Sequence, residues 1–248
     1  TGHLILDGGS FIIDKPYTGS MFGFSGTTDL NGGFFEISYE GIQFGTGAIV
    51  NFNGGNLRIG GHFRAIQPNS FQPVLGTVEL INTIGTYIEC TSGNFFHNLL
   101  INKSSGAGAC MLAYPTTVNV NLDIQSGELS TLSNGLNVGE DLIIGAAGKL
   151  TAGSSSISVG EDWMNNRGTV GFSEGTSSVW LETSQPCQIS SETFYNLDLA
   201  KDLPFNQYAN MVAGSTMTIL NKLTIGDGTL RMNNNCTLNL NGDLHLKV

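Results

Sequence analysis

Two pairs of adjacent carboxylates, Glu140-Asp141 and Glu161-Asp162, are the residues of this chain whose type and spacing first invite chemistry. Each pair sits in the same phrase, Leu136-Asn137-Val138-Gly139-Glu140-Asp141-Leu142 and Ile157-Ser158-Val159-Gly160-Glu161-Asp162-Trp163. Stacked one coil apart, the four acids could offer oxygens to Ca²⁺, which takes about six to eight. Against this, the Gly-Gly-x-Gly-x-Asp nonapeptide of calcium β-rolls is missing. Neighbours along a strand also point to opposite faces, so the two acids of a pair cannot act jointly. They read as acidic turn residues in solvent, and no metal or cofactor is expected.

Other reactive types are sparse. Arg58, His62 and Arg64 form the only basic cluster, and they share strand parity unless Gly60-Gly61 breaks the strand. A break is the expectation, so no catalytic role follows. Hydrolysis by paired carboxylates would need two acids at a set separation on one exposed face. No phosphate-binding Gly-x-x-x-x-Gly-Lys-Ser/Thr loop and no Gly-x-Ser-x-Gly elbow occurs. Trp163 and Trp180 could stack on sugars, although packing in the core or at its rim is the plainer reading. His97 stands where a matching phrase has Tyr195, and reads as an amphipathic rim residue. No catalytic residue is assigned. Cys90 and Cys110 lie 20 residues apart, close to one coil. On adjacent rungs they would be within reach of a disulfide, or would stack as two reduced thiols in the core. No Cys-x-x-Cys and no Cys/His zinc spacing is present.

The elements that carry these residues repeat. Gly139 and Gly160 are 21 residues apart, with no room for a long helix between them. A period near 20 with short alternating strands signals a solenoid, whose coils bury their apolar faces by stacking. Earlier, Asp7-Gly8-Gly9, Asn31-Gly32-Gly33 and Asn53-Gly54-Gly55 recur at spacings of 24 and 22. Such pairs supply positive-φ corners between strands. Asn-Gly is also a hairpin signal, so a β-sandwich is the structural rival; a sandwich has no reason to repeat a phrase. A longer repeat matches Phe96-His97-Asn98-Leu99 with Phe194-Tyr195-Asn196-Leu197, an offset of 98. It continues from Leu122 to Leu223 and from Leu136 to Leu238, at offsets of 101 and 102. The expectation is one solenoid over residues 1–248, holding two related units of near five coils, about 57–148 and about 157–248. Arg64–Pro73, Gly106–Thr117 and Lys201–Ala209 read as loops leaving the coil.

Composition agrees. Only 12% of residues are charged and 34 of 248 are glycine, so backbone pairing and turns must dominate. The net charge of −10 argues against nucleic acid, which needs a basic stripe, and against an anionic membrane surface. No run of 18 apolar residues could span a bilayer, and no signal peptide is evident. Thr1 is not an initiator Met, which suggests processing or excision from a longer chain.

The phrases Phe-x-Asn-Leu-x-Ile-x-Lys, Ser126-Gly127-Glu128-Leu129 and Leu136 to Leu142, with Trp163-Met164-Asn165-Asn166-Arg167-Gly168-Thr169, resemble repeats of very large secreted bacterial surface proteins. Those proteins are adhesin-like, and many carry a C-terminal sorting domain. The resemblance runs from about Leu57 onward and implies a right-handed parallel β-helix at the cell surface or outside the cell. It implies a non-enzymatic stalk, adhesin or filament segment. The alternative is a carbohydrate-active β-helix, either a polysaccharide lyase or a binding module. Expected partners are further coils stacked end to end, from another subunit or from a longer chain, and cell-surface or extracellular polysaccharide. The apolar strands near both ends, Leu4-Ile5-Leu6 and Asp243 to Val248, motivate the first of these.

Overall fold

The computed structural model describes residues 3–14, 19–104, 108–182, 185–199, 208–226 and 228–247. It is a β-solenoid of about 11 turns with 59% of residues in strands. The described residues hold 27 strands and a single 3-10 turn, Gly168–Val170. No described helix is long and apolar enough to cross a membrane.

Each coil has three faces. The first coil defines them with strands His3–Leu6, Ser10–Ile13 and Met21–Phe24. Strands stack in parallel on the strands of the next coil, at a rung spacing of ~4.8 Å. On the second face one register runs the length of the molecule. Phe11, Phe35, Leu57, Val78 and Leu99 are successive partners. The row continues through Leu122, Leu142, Trp163, Ile189, Met211 and Met232. From Phe35 to Met211 every member of this row is buried. Full burial of such side chains contributes about 1.5–3 kcal/mol apiece, and this stacking holds the coils together.

The core changes character along the axis. The early coils are filled by phenylalanine, with Phe24–Phe44, Phe44–Phe71 and Phe63–Phe96 ring centroids 5.6, 5.0 and 4.8 Å apart. The middle coils use Leu, Ile and Val, and Trp163 packs edge-on against Phe172 and Phe194 further along.

The repeated glycines are explained by two kinds of constraint. Gly9, Gly33 and Gly55 have φ of 75°, 78° and 80°, in the left-handed region. They stack at one corner, and their spacings of 24 and 22 are those of the strand register, Leu6 to Leu30 to Phe52. Gly139 and Gly160 instead serve close approach: a Cβ on Gly160 would run into the Gly139 carbonyl oxygen.

The long repeat departs from the expected geometry. Leu99 and Leu122 belong to the second face, whereas their matches Leu197 and Leu223 are partners on the first face. Leu136 lies on the first face, and Leu238 pairs with Met217 on the third. The two units are therefore offset by four coils and two further faces, not by five coils. The phrase Phe-x-Asn-Leu turns a corner in both copies, and two different corners accept it.

Two of the expected loops also change. Cys110–Leu112 and Thr116–Val118 are strands, so most of the 106–117 stretch stays in the coil; residues 106 and 107 lie outside the described residues. Within 64–73, Ala65 and Phe71 are fully buried, and only the turn between them leaves the wall. Of the 201–209 stretch, residues 201–207 lie outside the described residues.

Candidate functional site

The carboxylates of the repeated phrase are corner residues with a structural task. Asn121 N–H donates to the Asn98 Oδ1, Asp141 N–H to the Asn121 Oδ1, and Asp162 N–H to the Asp141 Oδ1, at 3.2, 3.1 and 3.0 Å. Gln188 N–H closes the series on the Asp162 Oδ1 at 2.7 Å. Each side chain thus satisfies a backbone donor one coil further on, where the strand ladder is interrupted. Glu140 and Glu161 sit beside this ladder. Burial, and then the nearby Asp141, Glu140 and Asp162, push the Glu161 carboxyl above its ordinary range. Among the described residues no group of three or more His, Cys, Asp or Glu could hold a metal ion.

The basic cluster is divided between faces. The strand Ile49–Ile59 ends at Gly60-Gly61, and Phe63–Ala65 begins the next face. Arg58 bonds Glu36 at 2.9 Å and Glu79 at 2.8 Å, on the coils either side of it. Arg64 pairs with Glu89 at 3.1 Å, and the His62 Nδ1 accepts the Tyr87 N–H at 2.8 Å. These side chains hold rungs together.

Cys90 and Cys110 are both free and buried, and they are out of register. Cys110 pairs with Thr86, while Cys90 pairs with Ala65 on the coil before. The local coil has 24 residues rather than 20, which sets the thiols four positions apart along the strands. At ~3.3 Å per residue that is ~13 Å, too far for a disulfide and too far to stack. Cys110 Sγ instead accepts the Thr86 hydroxyl at 3.1 Å, and the buried Lys103 Nζ lies 3.5 Å from that hydroxyl and donates to the Ile84 carbonyl at 2.6 Å. Burial lowers the Lys103 ammonium from its ordinary value and raises both thiols, Cys90 to about 12.

A second buried titratable group is Glu192, fully enclosed. Its Oε2 accepts from the Trp163 Nε1 at 3.1 Å and the Asn165 Nδ2 at 2.8 Å, and its Oε1 from the Thr193 N–H at 2.9 Å. Three donors favour the carboxylate, but desolvation wins and lifts the group to about 7.

The two tryptophans separate. Trp163 takes the core position that Leu142 holds one coil earlier. Trp180 alternates with the buried Val179 and Leu181 and therefore points outward on the first face. It stands at one end of a groove of about 530 Å³ that runs past Tyr114 to the turn at residues 91–94. The floor is the outward row Thr117, Asn137, Ser158 and Trp180, successive strand partners, with Gly135 and Ser156 alongside. Beyond Trp180 the same row continues as Asp198, Thr224 and His245, the first two of which line a smaller depression of about 320 Å³. Trp180 could be placed by strand parity; Tyr114, Asn137 and the groove they frame depend on coil lengths that the sequence pattern did not resolve.

Compared with protein-family models, with curated proteins and with solved structures, the chain matches none of them.

Proposed function

We propose that the chain is a length of non-enzymatic structural and adhesive rod, a β-solenoid segment of a bacterial protein that works at the cell surface or outside the cell. The observation that carries this reading is the eleven-position row on the second face, which stays in register from Phe11 to Met232. A fold extended by adding identical rungs is suited to spanning distance. We assign as its partner further coils stacked end to end, within a longer chain or between copies, since a solenoid is lengthened by adding rungs.

Small-angle scattering as a function of concentration tests the reading. The expected particle keeps a constant cross-section while its length grows in steps of about 50 Å, roughly eleven rungs at the strand spacing. A particle that stays the same length at every concentration removes stacking between copies. One that grows sideways removes the rod.

A further inference from the structure

The groove between Tyr114 and Trp180 has three properties that together define a ligand. The first is a pair of aromatic platforms, Trp180 at one end and Tyr114 along the wall. Thr116, Leu136, Ile157 and Val179 are successive partners, so Trp180 and Tyr114 are separated by three rungs, or ~14 Å. The second is a floor on which three of the four outward residues leave a polar group unengaged. Among the described residues, the Thr117 hydroxyl, the Asn137 amide and the Trp180 Nε1–H have no hydrogen-bond partner. The third is charge: no charged side chain lines the groove. The corner that follows this floor carries Glu140, Glu161 and Glu182 on successive coils, with the Glu182 carboxylate accepting the Ser158 hydroxyl at 2.8 Å.

These properties exclude other ligand classes in turn. Acids along the border and a net charge of −10 repel nucleic acid and polyuronates. A peptide could add as a strand only beside Thr116–Val118, which is three residues long and meets the coil before it at the single Phe96–Val118 bridge; the other strands of the floor are paired on both sides. What remains is an uncharged chain with apolar faces and many hydroxyls. We infer that the groove binds a neutral polysaccharide laid along the solenoid axis, stacked on Trp180 and hydrogen-bonded by Asn137 and Thr117. This deepens the adhesive part of the proposed function and rests on it.

A polysaccharide array and affinity electrophoresis in gels cast with the retained polymer test the inference, with neutral glucans, mannans and xylans set against polygalacturonate. Neutral polymer should be retained and polygalacturonate should not. Trp180→Ala should weaken retention at least tenfold, and Trp180→Phe should restore most of it. Tyr87→Ala, which removes a more exposed ring from the third face, should change nothing. Circular dichroism of Trp180→Ala must match the parent, and Trp180→Phe supplies the readout if it does not. Retention of no neutral polymer, preference for polygalacturonate, or full binding by Trp180→Ala would each overturn the inference. A particle that scatters as a rod yet retains no polymer would leave the structural part of the proposed function standing.

Discussion

The first face can be compared with itself at two heights. Near the start of the chain its polar side chains, with those of the adjoining corner, are consumed by one another. Asn51 Nδ2 donates to the Asp29 Oδ1 at 2.6 Å, and His3 bonds the other oxygen at 2.8 Å. Those two bonds hold the Asp29 carboxyl below its ordinary range. At the adjoining corner Asn53 donates to Asn31, and Asn31 to Asp7, at 2.8 and 2.7 Å. Between Tyr114 and Trp180 the same face carries Thr, Asn and Ser in equivalent outward positions, mostly without partners, under two aromatic rings. The composition hardly differs. What differs is whether successive coils place complementary groups opposite each other. Where they do, the surface stitches the rungs; where they do not, it is open to a ligand.

Four measurements would break or sharpen this contrast. The largest effect is expected from Leu142→Ala, which empties a fully buried position of the second-face row. A loss of about 2–5 kcal/mol in urea unfolding is expected; a loss below about 1 kcal/mol would mean that the row is not what holds the coils together. Next is the pH dependence set by Glu192. Its carboxyl ionises near 7 when folded, against an ordinary value of 4.5. The folded state therefore holds the proton more tightly, and stability falls as pH rises from about 4.5 through about 7. The full difference is about 3 kcal/mol at about 1.4 kcal/mol per pH unit. Glu192→Gln should flatten this slope, and the emission of Trp163, read in a Trp180→Phe background, should titrate near the same pH. A flat profile in the parent would remove the buried acid from the account.

The third measurement is Asn31→Ala, which cuts two rung-to-rung bonds and should cost about 1 kcal/mol. The smallest effect belongs to Asn137→Ala, within about 0.5 kcal/mol of the parent because nothing in the fold uses that amide. If Asn137→Ala proved as costly as Asn31→Ala, the two heights would not differ in the way described.

The fold was legible because coil stacking writes a period into the chain. Asp7, Asn31 and Asn53 recur at the register spacing because their side chains must meet, and Gly139 and Gly160 recur because backbones touch. The candidate site was less legible. Coil length drifts locally, so a 20-residue spacing implied that Cys90 and Cys110 were neighbours, while a 24-residue coil put Thr86 there instead. Alternation places Trp180 outward, but which side chains stand beside it depends on the lengths of the corners between. Lys103, between Asn102 and Ser104, and Glu192, between Ser191 and Thr193, left no signal either, since a charge among polar neighbours has the same pattern whether the strand turns it in or out.

The two-face offset between the long repeats is a screw operation. A unit that advances four coils and two faces rotates its surface by about a third of a turn each time and climbs ~22 Å along the axis at the strand spacing. Three such steps return to the starting azimuth after fourteen whole coils. Any surface feature that recurred with this unit would wind around the shaft like a thread, with neighbouring copies facing different directions.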